Sequence, residues 1–215
     1  MVDVDFTVVD VAPEPFAAAP QLVARLRVDE GSGAVVHAIA LRCQLRIEAQ
    51  RRPYDDKEAG ALGDQFGSRD RWSTTLKPFM WLQCSTMVQG FTGTTEVDLP
   101  MPVTYDLDVT ASKYLHALAD GEVPLAFLFS GTVFTRGANG FGVEQVPWDR
   151  ESSYRMPVSV WHDVMKQFYP GMGWLRLPHD TLAELARYKA ARGLTTWESV
   201  MDALLAGTEE VSHEP

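Results

Sequence analysis

Alternation of apolar and polar residues is the strongest signal along this chain. Between residues 35 and 49, Ile39, Leu41, Cys43, Leu45 and Ile47 take one parity and Arg42, Gln44, Arg46 and Glu48 the other. A period of two over this length predicts a long strand with one dry and one wet face, as in an antiparallel sheet. The pattern recurs at 21–28, where Leu22, Ala24, Leu26 and Val28 oppose Arg25 and Arg27. Residues 4–11 read as a first strand closed by Pro13 and Pro15. Further strands are predicted at 75–91, at 103–110 with Val103, Tyr105, Leu107 and Val109 inward, at 141–147 and at 153–158. The stretch Val123–Phe134 is almost wholly apolar and too short to span a membrane. It predicts a central strand covered on both faces.

About seven strands separated by turn signals, without βαβ alternation, predict a mainly β fold: an antiparallel β-sandwich, Ig-like or similar. Leu41, Leu45, Leu125, Phe127 and Phe129 are expected in its core. Short helical pieces are predicted at 55–66 and 111–118. Beyond residue 158 the period becomes helical. Ser159 is placed to cap a helix burying Val160, Trp161, Val164, Met165 and Phe168. Farther on, Trp174–Leu177 reads as a short strand followed by two helices. Thr181 with Glu184, and Thr195 with Glu198, have capping-box spacing. In the last helix Trp197, Val200, Met201, Leu204 and Leu205 form an apolar stripe that needs a partner. The chain therefore divides, on this reading, into a sandwich domain at 1–158, a C-terminal strand-helix-helix segment at 159–207 and a flexible tail at 208–215.

Hydrophobic residues make up 46% and charged residues 22%, ordinary values for a globular chain with a real core. A chain this size needs no disulfide or structural metal to fold. The net charge of −10 opposes binding to nucleic acid and to anionic membranes. The opening residues lack the basic and apolar regions of a signal peptide, so a cytoplasmic location is expected. The strand-helix-helix cadence resembles ribbon-helix-helix DNA-binding domains, in which outward strand residues read bases. Those positions would fall at Trp174 and Arg176, a poor base reader. A regulator remains the alternative reading, and it needs a homodimer exposing Arg176 near Arg187, Lys189 and Arg192.

No constellation dictates a reaction. The five histidines, His37, His116, His162, His179 and His213, include no pair at metal-ligand spacing. There is no nucleophile elbow and no phosphate-binding glycine loop. Cys43 and Cys84 stand on apolar strand faces without a CxxC, so both are expected to be buried, reduced and slow to alkylate. No catalytic, cofactor or metal residue is assigned and the chain is expected to be no enzyme. An enzymatic or ligand-binding sandwich with an unrecognised pocket is the further alternative.

Aromatic residues remain. If Leu76, Met80, Leu82, Cys84 and Val88 face the core, then Phe79, Trp81 and Met87 face out, flanked by Trp72 and Phe91. Trp148 stands in the polar stretch Gln145–Glu151. Aromatics and Met are enriched at protein interfaces, so Trp72, Phe79, Trp81, Met87, Phe91 and Trp148 are the candidate interaction residues.

The segments Lys113-Tyr-Leu-His-Ala-Leu-Ala-Asp-Gly-Glu-Val-Pro-Leu-Ala-Phe-Leu-Phe-Ser-Gly-Thr-Val-Phe134, Gln167–Pro170 and Gly173–Leu177 carry a likeness. Through them the chain resembles an uncharacterised actinobacterial family associated with gene clusters for uptake NiFe hydrogenases. The resemblance implies an accessory or assembly role, with a hydrogenase subunit or maturation factor as the partner protein. It supplies no catalytic residue and no cofactor.

Overall fold

The structure, a computed structural model, describes residues 2–106, 109–137, 140–173 and 175–211. Its chain divides into two units, Met1–Trp174 and Leu175–Pro215. Among the described residues of the first unit, two antiparallel sheets pack face to face. One has the order β1 (Val4–Pro13), β2 (Gln21–Glu30), β5 (Thr94–Pro102). The other runs β4 (Phe79–Phe91), β3 (Val36–Ile47), β6 (Glu122–Gly137), β7 (Gly140–Gln145), with β8 (Glu151–Pro157) also paired to β6. The expected antiparallel sandwich is the fold.

Parity decides the core. Leu22, Ala24, Leu26 and Val28 of β2 are buried, and so are Ile39, Leu41, Cys43, Leu45 and Ile47 of β3. From β6, Val123, Leu125, Phe127, Phe129 and Val133 join them. Phe6 of one sheet stacks on Phe129 of the other, with centroids 4.7 Å apart. The outer side of β6 is not covered along its length as expected: Ser130 is exposed, and Ala126, Leu128 and Phe134 are only half-buried.

The strand expected at 103–110 is replaced by β5 at Thr94–Pro102, which buries Leu99 and Met101. Pro100 and Pro102 obscured this strand in the sequence. They are tolerated because β5 is the edge of its sheet, where a missing N–H donor leaves no neighbour unpaired. Tyr105 is buried and Val109 exposed, while Leu107 lies outside the described residues.

Between β3 and β4 the chain forms α1 (Asp56–Ala61), α2 (Gly63–Phe66) and α3 (Trp72–Thr75), with 3-10 turns at 49–51 and 69–71. Together with α4 (Thr110–His116) they build an aromatic cluster of Tyr54, Phe66, Trp72, Phe79 and Tyr114. Helix α5 (Val158–Phe168) has Pro157 at its N-cap position, two residues ahead of the expected Ser159 cap. Its Val158, Trp161, Val164 and Met165 are buried in the same core as the sheets. Helix α5 thus belongs to the first unit. The division falls at 174/175, not at the expected 158/159, because an amphipathic helix goes where its apolar stripe can be buried.

The second unit is a helical hairpin, α6 (His179–Ala191) and α7 (Trp197–Val211). Residues 175–178 form no strand, and Trp174 lies outside the described residues. Pro178 precedes α6, so Thr181 sits within the first turn instead of capping it. Gly193, at φ +63°, ends the first helix, and its N–H bonds to the carbonyl of Ala190. The cap of α7 is Thr196, one residue after the expected Thr195: its Oγ1 accepts the Ser199 N–H at 3.1 Å. Of the expected stripe Val200 is buried and Met201 half-buried, while Trp197, Leu204 and Leu205 are exposed. The helix runs to Val211, past the start expected for a tail at 208, and 212–215 lie outside the described residues.

Candidate partner-binding site

Strand β6 changes edge partner midway. Glu122–Leu128 pair with β8 and Thr132–Gly137 with β7. Gly131 occupies the changeover, at φ +149°, where a Cβ would stand 2.2 Å from the Ala40 carbonyl oxygen. Only glycine lets β6 stay this close to β3. The link from β7 to β8 leaves the sheet edge at this point. The Val146 N–H donates to the Gly131 carbonyl at 2.9 Å, and the Phe129 N–H donates to the Arg150 carbonyl at 2.9 Å. The Arg150 side chain ties the link to β1: Nε donates to the Val4 carbonyl at 2.6 Å, and Nη2 meets Asp3 at 2.8 Å. A turn closes the loop, with the Arg150 N–H bonded to the Pro147 carbonyl at 3.3 Å.

Trp148 stands within this turn, 95% exposed. Holding a large apolar ring in water is unfavourable, and it is held there by a backbone already ordered. Such a ring loses little conformational entropy when it enters a pocket. Asp149 follows it in sequence, and both Asp149 and Asp3 pair with Arg150.

The other candidate residues divide between core and surface. Trp72 is buried, and its indole N–H donates to the Gly67 carbonyl at 2.9 Å. Phe79 packs against Tyr114, with centroids 5.4 Å apart, and against Phe66 at 6.0 Å. Trp81 is half-buried, edge-on to Trp161 at 6.3 Å. Phe91 is half-buried against the core. The expectation that Phe79 and Trp81 face outward therefore fails, for a local reason. Leu45 pairs with Leu82 but Arg46 with Met80, so Trp81 is an extra residue in β4. A bulge of this kind reverses strand parity on one side. Phe79 turns in, opposite Ile47, and Met80, expected inside, turns out. Met87 faces out as expected, and both methionines are 53% exposed. Near Met80 a shallow hollow of about 420 Å³ crosses β3, β4 and β6, lined by Arg42, Gln44, Gln83, Ser85 and Ser130. Gln44 Nε2 lies 3.4 Å from the Met80 sulfur.

A buried polar cluster escaped the sequence reading. Arg52 is bonded to Glu58 at 2.8 Å and lies over the Tyr54 ring, while the Tyr54 and Tyr114 hydroxyls are 2.7 Å apart. Burial is the main cause that raises both phenols, Tyr114 to about 12 and Tyr54 further, so both stay neutral. A signal for the helix start was present: Asp55-x-x-Glu58 has cap spacing, and Asp55 accepts the Glu58 N–H at 2.7 Å. Among the described residues no three His, Cys, Asp or Glu side chains are grouped to hold a metal. Nor is any helix there long and apolar enough to cross a membrane.

These features define a β-sandwich, a helical hairpin and an exposed tryptophan on a tied loop. The chain matches the family of unknown function DUF6084 over residues 1–213 and belongs to it. No curated protein matches it in sequence. Among solved structures it is similar to the sporulation control protein Spo0M of Bacillus subtilis, with 14% identity, 71% of this chain and 48% of that one covered, and a TM-score of 0.30. It is also similar to a CARDB domain of Pyrococcus furiosus, with 7% identity, 72% and 91% coverage, and a TM-score of 0.27. A β-glucosidase of Kluyveromyces marxianus shares 8% identity over 72% of this chain, with a TM-score of 0.25, and this chain spans only 15% of that one. At these scores none of the likenesses carries an argument about activity.

Proposed function

We propose that this chain is a non-enzymatic, cytoplasmic accessory protein that docks a partner protein through Trp148. The observation that carries the reading is the indole itself, almost fully exposed on a loop tied to β1 and β6. Trp is among the residues most enriched at the energetic centres of interfaces. The net charge of −10 favours a partner whose apolar pocket is rimmed by basic residues. Met80 and Met87 offer a second, adaptable apolar surface on the opposite edge region of the same sheet. For the identity of the partner we propose a NiFe hydrogenase subunit or maturation factor, on the sequence resemblance alone.

The test is affinity purification of the tagged wild-type chain and of Trp148→Ala from the native host, with hydrogenase activity assayed in a deletion strain. The reading expects a hydrogenase component recovered with the wild type, at least tenfold depleted with Trp148→Ala, and lowered activity in the deletion strain. Equal recovery with both chains removes Trp148 as the anchor. Normal hydrogenase activity with no hydrogenase component recovered removes the partner.

A further inference from the structure

The cysteines of this chain, 41 residues apart in sequence, are direct cross-strand partners: Cys43 of β3 pairs with Cys84 of β4. Both are free thiols, and the Cys84 sulfur lies 4.0 Å from the Cys43 carbonyl oxygen. The type of pair follows from the neighbouring strand. The Phe129 N–H points away from β3, toward Arg150. Cys43, opposite Phe129, must then direct its own N–H and carbonyl toward β4, because both groups of a strand residue point the same way. Cys43 and Cys84 are therefore a hydrogen-bonded pair, with Cα atoms about 5.5 Å apart, inside the usual disulfide range of about 4.4–6.8 Å.

Their surroundings differ. Cys43 is 2% exposed in a central strand, whereas Cys84 is half-buried on the edge strand. The two neighbouring thiols shift in opposite directions: Cys84 and burial together raise Cys43, while Cys43 lowers Cys84 by more than burial raises it. Access and acidity thus coincide at Cys84, the profile of an attacking thiolate.

We propose that Cys43 and Cys84 form an oxidisable dithiol site, closed by hydroperoxide into an intramolecular cross-strand disulfide. The Cys84 thiolate attacks one peroxide oxygen, the O–O bond breaks, and hydroxide leaves with Cys84 as the sulfenic acid. The Cys43 sulfur then attacks the Cys84 sulfur, the S–O bond breaks, and water leaves as the Cys43 proton is given up. The balance is two thiols and one hydrogen peroxide to one disulfide and two waters. In a hydrogen-bonded pair the Cβ atoms sit about 5 Å apart and must be drawn toward about 4 Å. The edge strand β4 can give by this amount, and the resulting strain makes the bond readily reducible. The inference is independent of the docking role assigned to Trp148.

The test treats the reduced full chain with hydrogen peroxide and reads intact mass and peptide linkage. The expected result is loss of two hydrogens, a peptide joining Cys43 to Cys84, and full reversal by dithiothreitol. Before oxidation, N-ethylmaleimide should label Cys84 at least tenfold faster than Cys43. Cys43→Ser should halt at a sulfenic acid on Cys84 that dimedone traps, and Cys84→Ser should give no adduct. The wild-type linkage map decides the matter even if a variant misfolds. Added oxygen without linkage, a cross-linked dimer, or an unchanged mass at a dose that consumes free cysteine would each overturn the proposal.

Discussion

Arg52 and Glu58 form an ion pair in which each side chain is only 6% exposed. Arg52 also donates to the Asp120 carbonyl at 3.2 Å, and Glu58 accepts the Ala119 N–H at 3.0 Å. The pair therefore joins the link between β3 and β4 to the turn before β6. Removing one partner strands the other charge away from water, which costs about 3–5 kcal/mol, whereas replacing both costs less than the sum. Arg52→Met should lose about that much in urea denaturation, and Arg52→Met with Glu58→Met should recover part of it. A single-variant loss under about 1 kcal/mol would mean that the pair is hydrated in solution.

Phe127 is fully buried and stacks on Phe129 at 6.4 Å. Phe127→Ala should cost about 3–5 kcal/mol, through lost burial and the cavity left behind. The denaturation midpoint should fall with little change in slope. A cost below about 1 kcal/mol would contradict the placement of β6 at the centre of its sheet.

Glu30 predicts a pH dependence. Burial pushes its carboxyl upward, but bonds from the Ser32 hydroxyl and from the Ser32, Asp3 and Ala34 N–H groups outweigh that and hold it below the ordinary 4.5. A lowered carboxylate stabilises the fold above its unfolded value, and this contribution is lost as pH falls through the folded value. Unfolding free energy should thus decline below about pH 4.5 more steeply in the wild type than in Glu30→Gln. Parallel curves for the two chains from pH 7 to pH 3 would refute the assignment.

Gly131 and Gly33 both have positive φ, at +149° and +79°, but a Cβ at Gly33 meets nothing within 4 Å. Alanine at Gly33 should cost only backbone strain, roughly 1–2 kcal/mol. Alanine at Gly131 adds a collision with the Ala40 carbonyl and must push β6 from β3. Thermal denaturation of the two variants should therefore rank Gly131→Ala clearly below Gly33→Ala, and the reverse order would remove the steric argument.

The interior of the sandwich was legible in the residues. Period-two alternation in β2 and β3 names the buried face without any tertiary knowledge, since neighbouring side chains of a strand must point to opposite sides. The apolar run of β6 held the expected core residues Leu125, Phe127 and Phe129 but did not tell its dry face from its wet one, and of the α5 stripe Trp161, Val164 and Met165 are buried. The solitary Trp148 in a polar stretch was visible for the same reason: nothing near it in sequence could bury it.

What the tertiary structure decided are the matters that depend on which segments meet. One extra residue at Trp81 reverses the faces of Phe79 and Met80, and an isolated strand carries no mark of where its partner will skip a residue. Trp72 becomes core because α4, far along the chain, brings Tyr114 to the same aromatic cluster. Alternation placed Cys43 and Cys84 on apolar faces but could not set them opposite each other. Burial is written in each strand's own periodicity, whereas register exists only between two strands, and it is fixed by their joint packing.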